Sequence, residues 1–153
     1  MLYNKDNQET ILQECNMDFD SYYQAYFTKP QPQPRFQYTG NFGITLFYED
    51  YDQAVAFYET VLGSAGYQEG DHTRGWKIGN GWLTLLKGKK GTPTNVELTF
   101  ELETVAEAEA MQRTFIQAGA SGTDPSDQLM YAPVRLCPVV DPLGVDVMIF
   151  ARI

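Results

Sequence analysis

Asp50-Tyr51-Asp52-Gln53-Ala54-Val55-Ala56-Phe57-Tyr58-Glu59-Thr60-Val61-Leu62-Gly63 is the stretch of this chain whose reading decides the fold. Ala54, Val55, Phe57, Tyr58, Val61 and Leu62 recur at helical intervals and make one side apolar. Asp50 and Gln53 have capping-box spacing at the start, and Gly63 offers a left-handed stop at the end. The segment is therefore read as an amphipathic helix. Just upstream, Ile44, Leu46 and Tyr48 alternate with Thr45 and Phe47, as in a half-buried strand. Downstream, strand-like pieces fall around Tyr67, residues 75–78 and residues 82–86, the last two separated by the hairpin signal Gly79-Asn80-Gly81.

The same order then recurs, and such repetition is weighed before individual motifs. Val96, Leu98, Phe100 and Leu102 alternate with Glu97, Thr99, Glu101 and Glu103. Thr104 and Glu107 have capping-box spacing ahead of a helix with Ala108, Met111, Phe115 and Ile116 on its apolar side and Gly119 at its end. Residues 121–127, rich in Ser, Gly, Asp and Pro, read as a loop. Residues 133–140 and 145–151 read as strands joined by a turn at Asp141-Pro142-Leu143-Gly144.

The remaining residues set the context. The chain has 153 residues, 43% hydrophobic and 20% charged, which suits one compact domain with its own core. Near Lys29-Pro30-Gln31-Pro32-Gln33-Pro34-Arg35, alternate prolines favour an extended connector. This divides the chain into an N-terminal part, 1–35, and a main domain, 36–153, with modules of about 40–91 and 95–153. In the N-terminal part, Phe19, Tyr22, Tyr23, Tyr26 and Phe27 fall at helical spacing behind an Asp18 or Asp20 cap. That aromatic side is expected to pack onto the main domain or a second subunit, or to form a lid over a binding site. A formal charge of −9 disfavours nucleic acid and anionic membrane as partners. Lys87, Lys89 and Lys90 in a Gly-rich turn read as a solvated loop. Cys15 and Cys137 are too few for a disulfide scaffold, and Cys137 is expected to be buried and inert. The polar residues 1–7 lack the features of a secretory leader, and no apolar run reaches membrane-span length, so a soluble cytoplasmic protein is expected.

Two of these segments resemble the vicinal oxygen chelate superfamily, which includes glyoxalases, extradiol dioxygenases and bleomycin- and fosfomycin-resistance proteins. Residues 50–63 are similar to that group's acidic-start helix ending in Phe-Tyr, three residues and Leu-Gly, and residues 141–144 to its Asp-Pro-x-Gly turn. The likeness spans 40–153. It implies an α+β fold in which two tandem βαβββ modules form a curved mixed sheet around a cleft, preceded here by an N-terminal helical extension, and often completed by dimerisation. In metal-dependent members each module offers one ligand on its first strand and another on its last. The matching positions here are Gly43, Thr84, Glu97 and Met148. Only Glu97 among them is a good ligand, so neither metal nor cofactor is expected. The single histidine, His72, lies in a turn-like stretch and reads as an exposed loop imidazole.

Side-chain alternation divides the strand residues into two faces. Ile44, Leu46, Leu83, Leu85, Leu98, Phe100, Val147 and Ile149 form an apolar set expected beneath the helices. The opposite set mixes aromatic rings, hydroxyls and carboxylates, as in a small-molecule pocket that favours cations. From it come the candidate ligand-binding residues Phe47, Trp82, Glu97, Thr99, Glu101, Met148 and Phe150, with Trp76, Tyr131 and Arg135 at the rim. The reading that follows is a metal-free protein that sequesters an aromatic or cationic compound, as bleomycin-resistance proteins do, rather than an enzyme. The alternatives are a metal-dependent lyase, isomerase or dioxygenase, and an assembly protein docking through its N-terminal helix.

Overall fold

The computed structural model describes residues 17–38 and 40–153. Cys15 and residues 1–7 lie outside the described residues. Helix α1 (Phe19–Tyr26) begins at Asp18, whose carboxylate accepts from the Ser21 N–H at 2.8 Å and the Ser21 hydroxyl at 2.9 Å. Its rings stack on one another, Tyr23 on Phe27 with centroids 4.5 Å apart. No residue of α1 is fully buried; Phe19, Tyr22, Tyr23 and the following Phe27 are partly so.

The first module runs β1 (Gly43–Tyr48), α2 (Tyr51–Leu62), β2 (Tyr67–Glu69), β3 (Thr73–Ile78), β4 (Gly81–Lys87). The second runs β5 (Glu97–Leu102), α3 (Val105–Gln117), β6 (Ser121–Gly122), β7 (Ser126–Leu129), β8 (Pro133–Val140), β9 (Asp146–Arg152). Each module closes by pairing its first and last strands in parallel, β1 with β4 and β5 with β9. Strand order is β1-β4-β3-β2 in one sheet and β5-β9-β8-β6 in the other, with β7 also on β8. The strands form two mixed sheets of four and five strands, one from each module, as the α+β fold with two tandem βαβββ modules requires.

The expected loop at 121–127 contains β6 and the start of β7, which together make an interrupted outer strand against β8. The interruption has a physical cause. Pro138 has no N–H to donate, and it falls between the residues that pair with β6 and those that pair with β7. Its carbonyl is taken instead by the Gln112 amide at 3.0 Å, which also donates to the Thr123 carbonyl at 2.8 Å.

The apolar set packs under α2 and α3 as expected: Leu46, Leu83, Leu85, Leu98, Phe100, Val147 and Ile149 are buried, and Ile44 packs partly buried against them. The helices meet through Phe57 and Phe115, edge to face with centroids 5.8 Å apart. Ile116 differs from expectation, remaining 43% exposed with its side chain over Gly122. The two helix starts also differ. Thr104 accepts from the Glu107 N–H at 3.2 Å, whereas Asp50 makes no side-chain cap bond. Its backbone, at φ −82° and ψ 56°, lies outside the extended region typical of a capping residue.

Asp141 joins the two modules. One carboxylate oxygen accepts from the N–H groups of Leu143 at 2.8 Å and Val145 at 3.0 Å, shaping the 141–144 turn. The other accepts from the hydroxyls of Tyr48 at 3.1 Å and Tyr58 at 3.0 Å, both from the first module. Burial and the neighbouring carboxylate raise the pKa of Tyr48, and burial with Tyr48 and Asp141 raises that of Tyr58, so both stay neutral donors. Cys137 is fully buried and its thiol pKa is pushed up by desolvation, in agreement with an inert side chain.

Candidate functional site

The β3–β4 hairpin builds the first wall of a cavity. Ile78 pairs with Gly81 across a two-residue loop, with Gly79 at φ 55° and Asn80 at negative φ, the pattern of a type II′ turn. Gly81 has a second role. A Cβ there would run into the Phe42 carbonyl oxygen, so only glycine lets the segment before β1 lie against the hairpin. Phe42 and Asn80 are thereby brought to the mouth of a cavity of about 470 Å³.

That cavity lies where the beginnings of β1 and β4 approach β5. Ile44 and Leu83 contribute apolar surface from one module, Leu98 and Phe100 from the other, with Trp82, Glu97 and Thr99 completing it. The Trp82 ring is held in place: a Cβ at Gly75 would lie 3.4 Å from it, and Tyr67 meets it edge-on at 6.5 Å. Glu97 stands beside Asp146 in register. Glu97 is exposed; partial desolvation, and then the Asp146 charge, raise its carboxyl pKa above the ordinary value.

Of the residues singled out from sequence, the cavity gathers Trp82, Glu97 and Thr99. Phe47 lies on the same face of β1 but farther along, 55% exposed in a separate groove. Glu101 is paired with Arg152 at 2.7 Å. Met148, half-buried, stands beside Thr99. Phe150 is only 7% exposed and pairs with Leu136. Tyr131 projects into solvent, and Arg135 pairs with Asp127 at 2.8 Å and Glu109 at 3.8 Å. Trp76 is not at a rim. It is buried in the core, with its indole N–H donating to the Gly63 carbonyl at 2.8 Å, where it ties β3 to the end of α2. Sequence reasoning missed Phe42 and Asn80. The Gly-Asn-Gly turn marked the hairpin but not its contact with residue 42.

The positions matching the superfamily's metal ligands do not suit a metal. Gly43 has no side chain, Thr84 offers a hydroxyl and Met148 a thioether, leaving Glu97 as the one strong donor. Among the described residues, no group of three or more His, Cys, Asp or Glu side chains is placed to share an ion. His72 is exposed in a turn, as expected.

The architecture is that of the glyoxalase/bleomycin-resistance type, the vicinal oxygen chelate fold. The chain is similar to a glyoxalase/bleomycin resistance protein from Albidiferax ferrireducens, with TM-score 0.59 and 14% identity over 72% of this chain and 97% of that one. It is similar to a glyoxalase/bleomycin resistance protein/dioxygenase family enzyme from Burkholderia phytofirmans, with TM-score 0.58 and 17% identity over 72% and 97%. It is also similar to a lactoylglutathione lyase from Agrobacterium tumefaciens, with TM-score 0.59 and 17% identity over 74% and 94%. No family model matches the sequence, and no curated protein matches it.

Proposed function

We propose that this chain is a metal-independent small-molecule-binding protein that captures a flat, apolar cation in the cavity between its two modules. The observation that carries the reading is Glu97, an acidic side chain that lines the cavity together with Trp82 and apolar residues of both modules. A cation arriving there restores to the carboxylate what it lost in hydration, and Trp82 adds ring surface and cation–π attraction. Capture needs no bond to break, and Glu97 acts by charge alone. The expected partner is a small aromatic or cationic compound, with neither nucleic acid nor membrane involved; no helix among the described residues is long and apolar enough to cross a membrane.

Homodimerisation goes with this reading. Phe42 at 83% and Trp82 at 40% exposure leave aromatic surface bare at the cavity end of β1 and β4, the kind of patch that a second copy covers. A cytoplasmic setting goes with the reduced, buried Cys137.

The test is calorimetric titration with 1-naphthylmethylammonium and its neutral analogue 1-naphthylmethanol. Preferential binding of the cation, lost in Glu97→Gln, is the expected result. Equal binding of both compounds, or a near-stoichiometric divalent ion in protein purified without chelators, overturns the reading.

A further inference from the structure

The second groove on this face has the opposite electrostatic character. Its volume is about 610 Å³, and it lies between the end of β1 and the loop that leaves β4. Thr45 and Phe47 of β1, Lys89 and Lys90 of the loop, and Pro93 and Val96 line it; Lys87, in register with the buried Tyr48, points to the opposite face from Phe47 and lies beside Glu49, Asp50 and Asp52. No carboxylate lines the groove. Lys89 and Lys90 form no ion pair with any described residue, although Asp and Glu outnumber Lys and Arg by 20 to 11 in the chain.

The flanking loop is held in shape rather than left to solvent alone. The Gly88 N–H donates to the Tyr48 carbonyl at 2.8 Å, the Glu49 N–H to the Gly91 carbonyl at 3.3 Å, and the Lys87 N–H to the His72 carbonyl at 3.1 Å. Gly88 is required where the loop crosses β1, because a Cβ there would come within 2.9 Å of the Phe47 Cβ. Gly91, at φ 83°, turns the chain back. The result is an exposed phenyl ring in a groove that two unpaired lysines, Lys89 and Lys90, also line.

We propose that this groove is a second ligand site, distinct from the Glu97 cavity, that binds an organic anion with a flat apolar body, such as an aromatic carboxylate. Phe47 takes the apolar body and the lysines take the charge; neither part suffices alone. Register separates the two sites along one strand: Gly43 pairs with Trp82 at the cavity end, whereas Phe47 pairs with Leu86 at the groove end. Four residues of strand place these ends about 13 Å apart. The sheet then selects a cation at one end and an anion at the other.

The experiment is calorimetric titration of the full chain with 1-naphthoate, 1-naphthylmethanol and inorganic phosphate, with wild type compared to Lys89→Glu/Lys90→Glu, Phe47→Ala and Glu97→Gln. Expected are binding of naphthoate in preference to both other probes, a loss of about tenfold or more in the double lysine variant, weakening in Phe47→Ala, and no change in Glu97→Gln. Weakening of wild-type naphthoate binding by added salt is the readout that needs no folded variant. No binding of naphthoate by wild type, binding unchanged by the lysine substitutions and by salt, or loss of naphthoate binding in Glu97→Gln overturns the proposal. Equal binding of naphthylmethanol or phosphate removes the joint requirement and overturns it as well.

Discussion

The Tyr48 hydroxyl donates to the Asp141 carboxylate at 3.1 Å across a sequence separation of 93 residues, joining the end of β1 to the turn before β9. Tyr58 reaches the same oxygen from α2 at 3.0 Å. The two motifs that suggested the fold therefore meet in one buried cluster, Tyr58 from the helix segment and Asp141 from the turn. Asp141→Ala leaves two tyrosine hydroxyls and two backbone N–H groups without their acceptor. We expect a loss of about 3 kcal/mol or more in urea-induced unfolding, against about 1 kcal/mol for Tyr58→Phe, which removes one donor and keeps the turn.

Tyr51 provides the contrast. It is 3% exposed, and its hydroxyl has no hydrogen-bond partner among the described residues. The buried oxygen lost its hydration on folding and gained nothing in exchange. Tyr51→Phe is expected to leave stability within about 0.5 kcal/mol of wild type or to raise it, measured by the same unfolding transition.

Glu97→Gln separates stability from binding. Because the folded-state pKa is raised, the ionised carboxylate is less favourable in the folded chain than in the unfolded one. That penalty grows as pH rises through the folded-state value and is absent below the unfolded one. Because Glu97 is exposed and screened by solvent, thermal melts at pH 7 are expected to show the glutamine variant melting level with wild type or slightly higher, with any gap closing at about pH 4. The same variant loses its preference for 1-naphthylmethylammonium.

Gly81→Ala puts a methyl group against the Phe42 carbonyl and forces residues 40–42 away from the hairpin. We expect a cost of about 1–3 kcal/mol and weaker cation binding, since Phe42 forms part of the cavity mouth. Gly79→Ala, which meets no atom but carries a positive φ, strains the turn without moving Phe42. It is expected to destabilise the fold while leaving affinity at saturating temperature margins unchanged, as read by calorimetry well below the melting transition.

Strand alternation made the two faces legible from sequence, because every residue from Ile44 to Leu46 or Leu98 to Phe100 keeps a period of two over a regular ladder. The same logic places Trp76 correctly once the hairpin is used to set register. A two-residue loop at Gly79-Asn80 pairs Ile78 with Gly81 and hence Trp76 with Leu83, on the core face. Reading Trp76 as part of a rim segment ignored that constraint. The interrupted strand of β6 and β7 was hidden for a different reason: its composition is that of a loop, and its break is set by Pro138 in the neighbouring strand β8 rather than by its own residues. The cavity mouth at Phe42 was hidden because it depends on how separate segments approach each other, which no local period encodes.

The parallel pairing of first and last strands within each module sets how early each strand's native partner exists as the chain is made. Gly43 has no partner until Trp82 has been made, and Glu97 none until Asp146 has followed. Each half of the nascent protein holds an edge in waiting through the synthesis of its own helix. The tyrosine pair at Tyr48 and Tyr58 waits longer still, because the carboxylate that receives both hydroxyls belongs to the second half. Completion of the first half is thus verified only when the second is nearly translated.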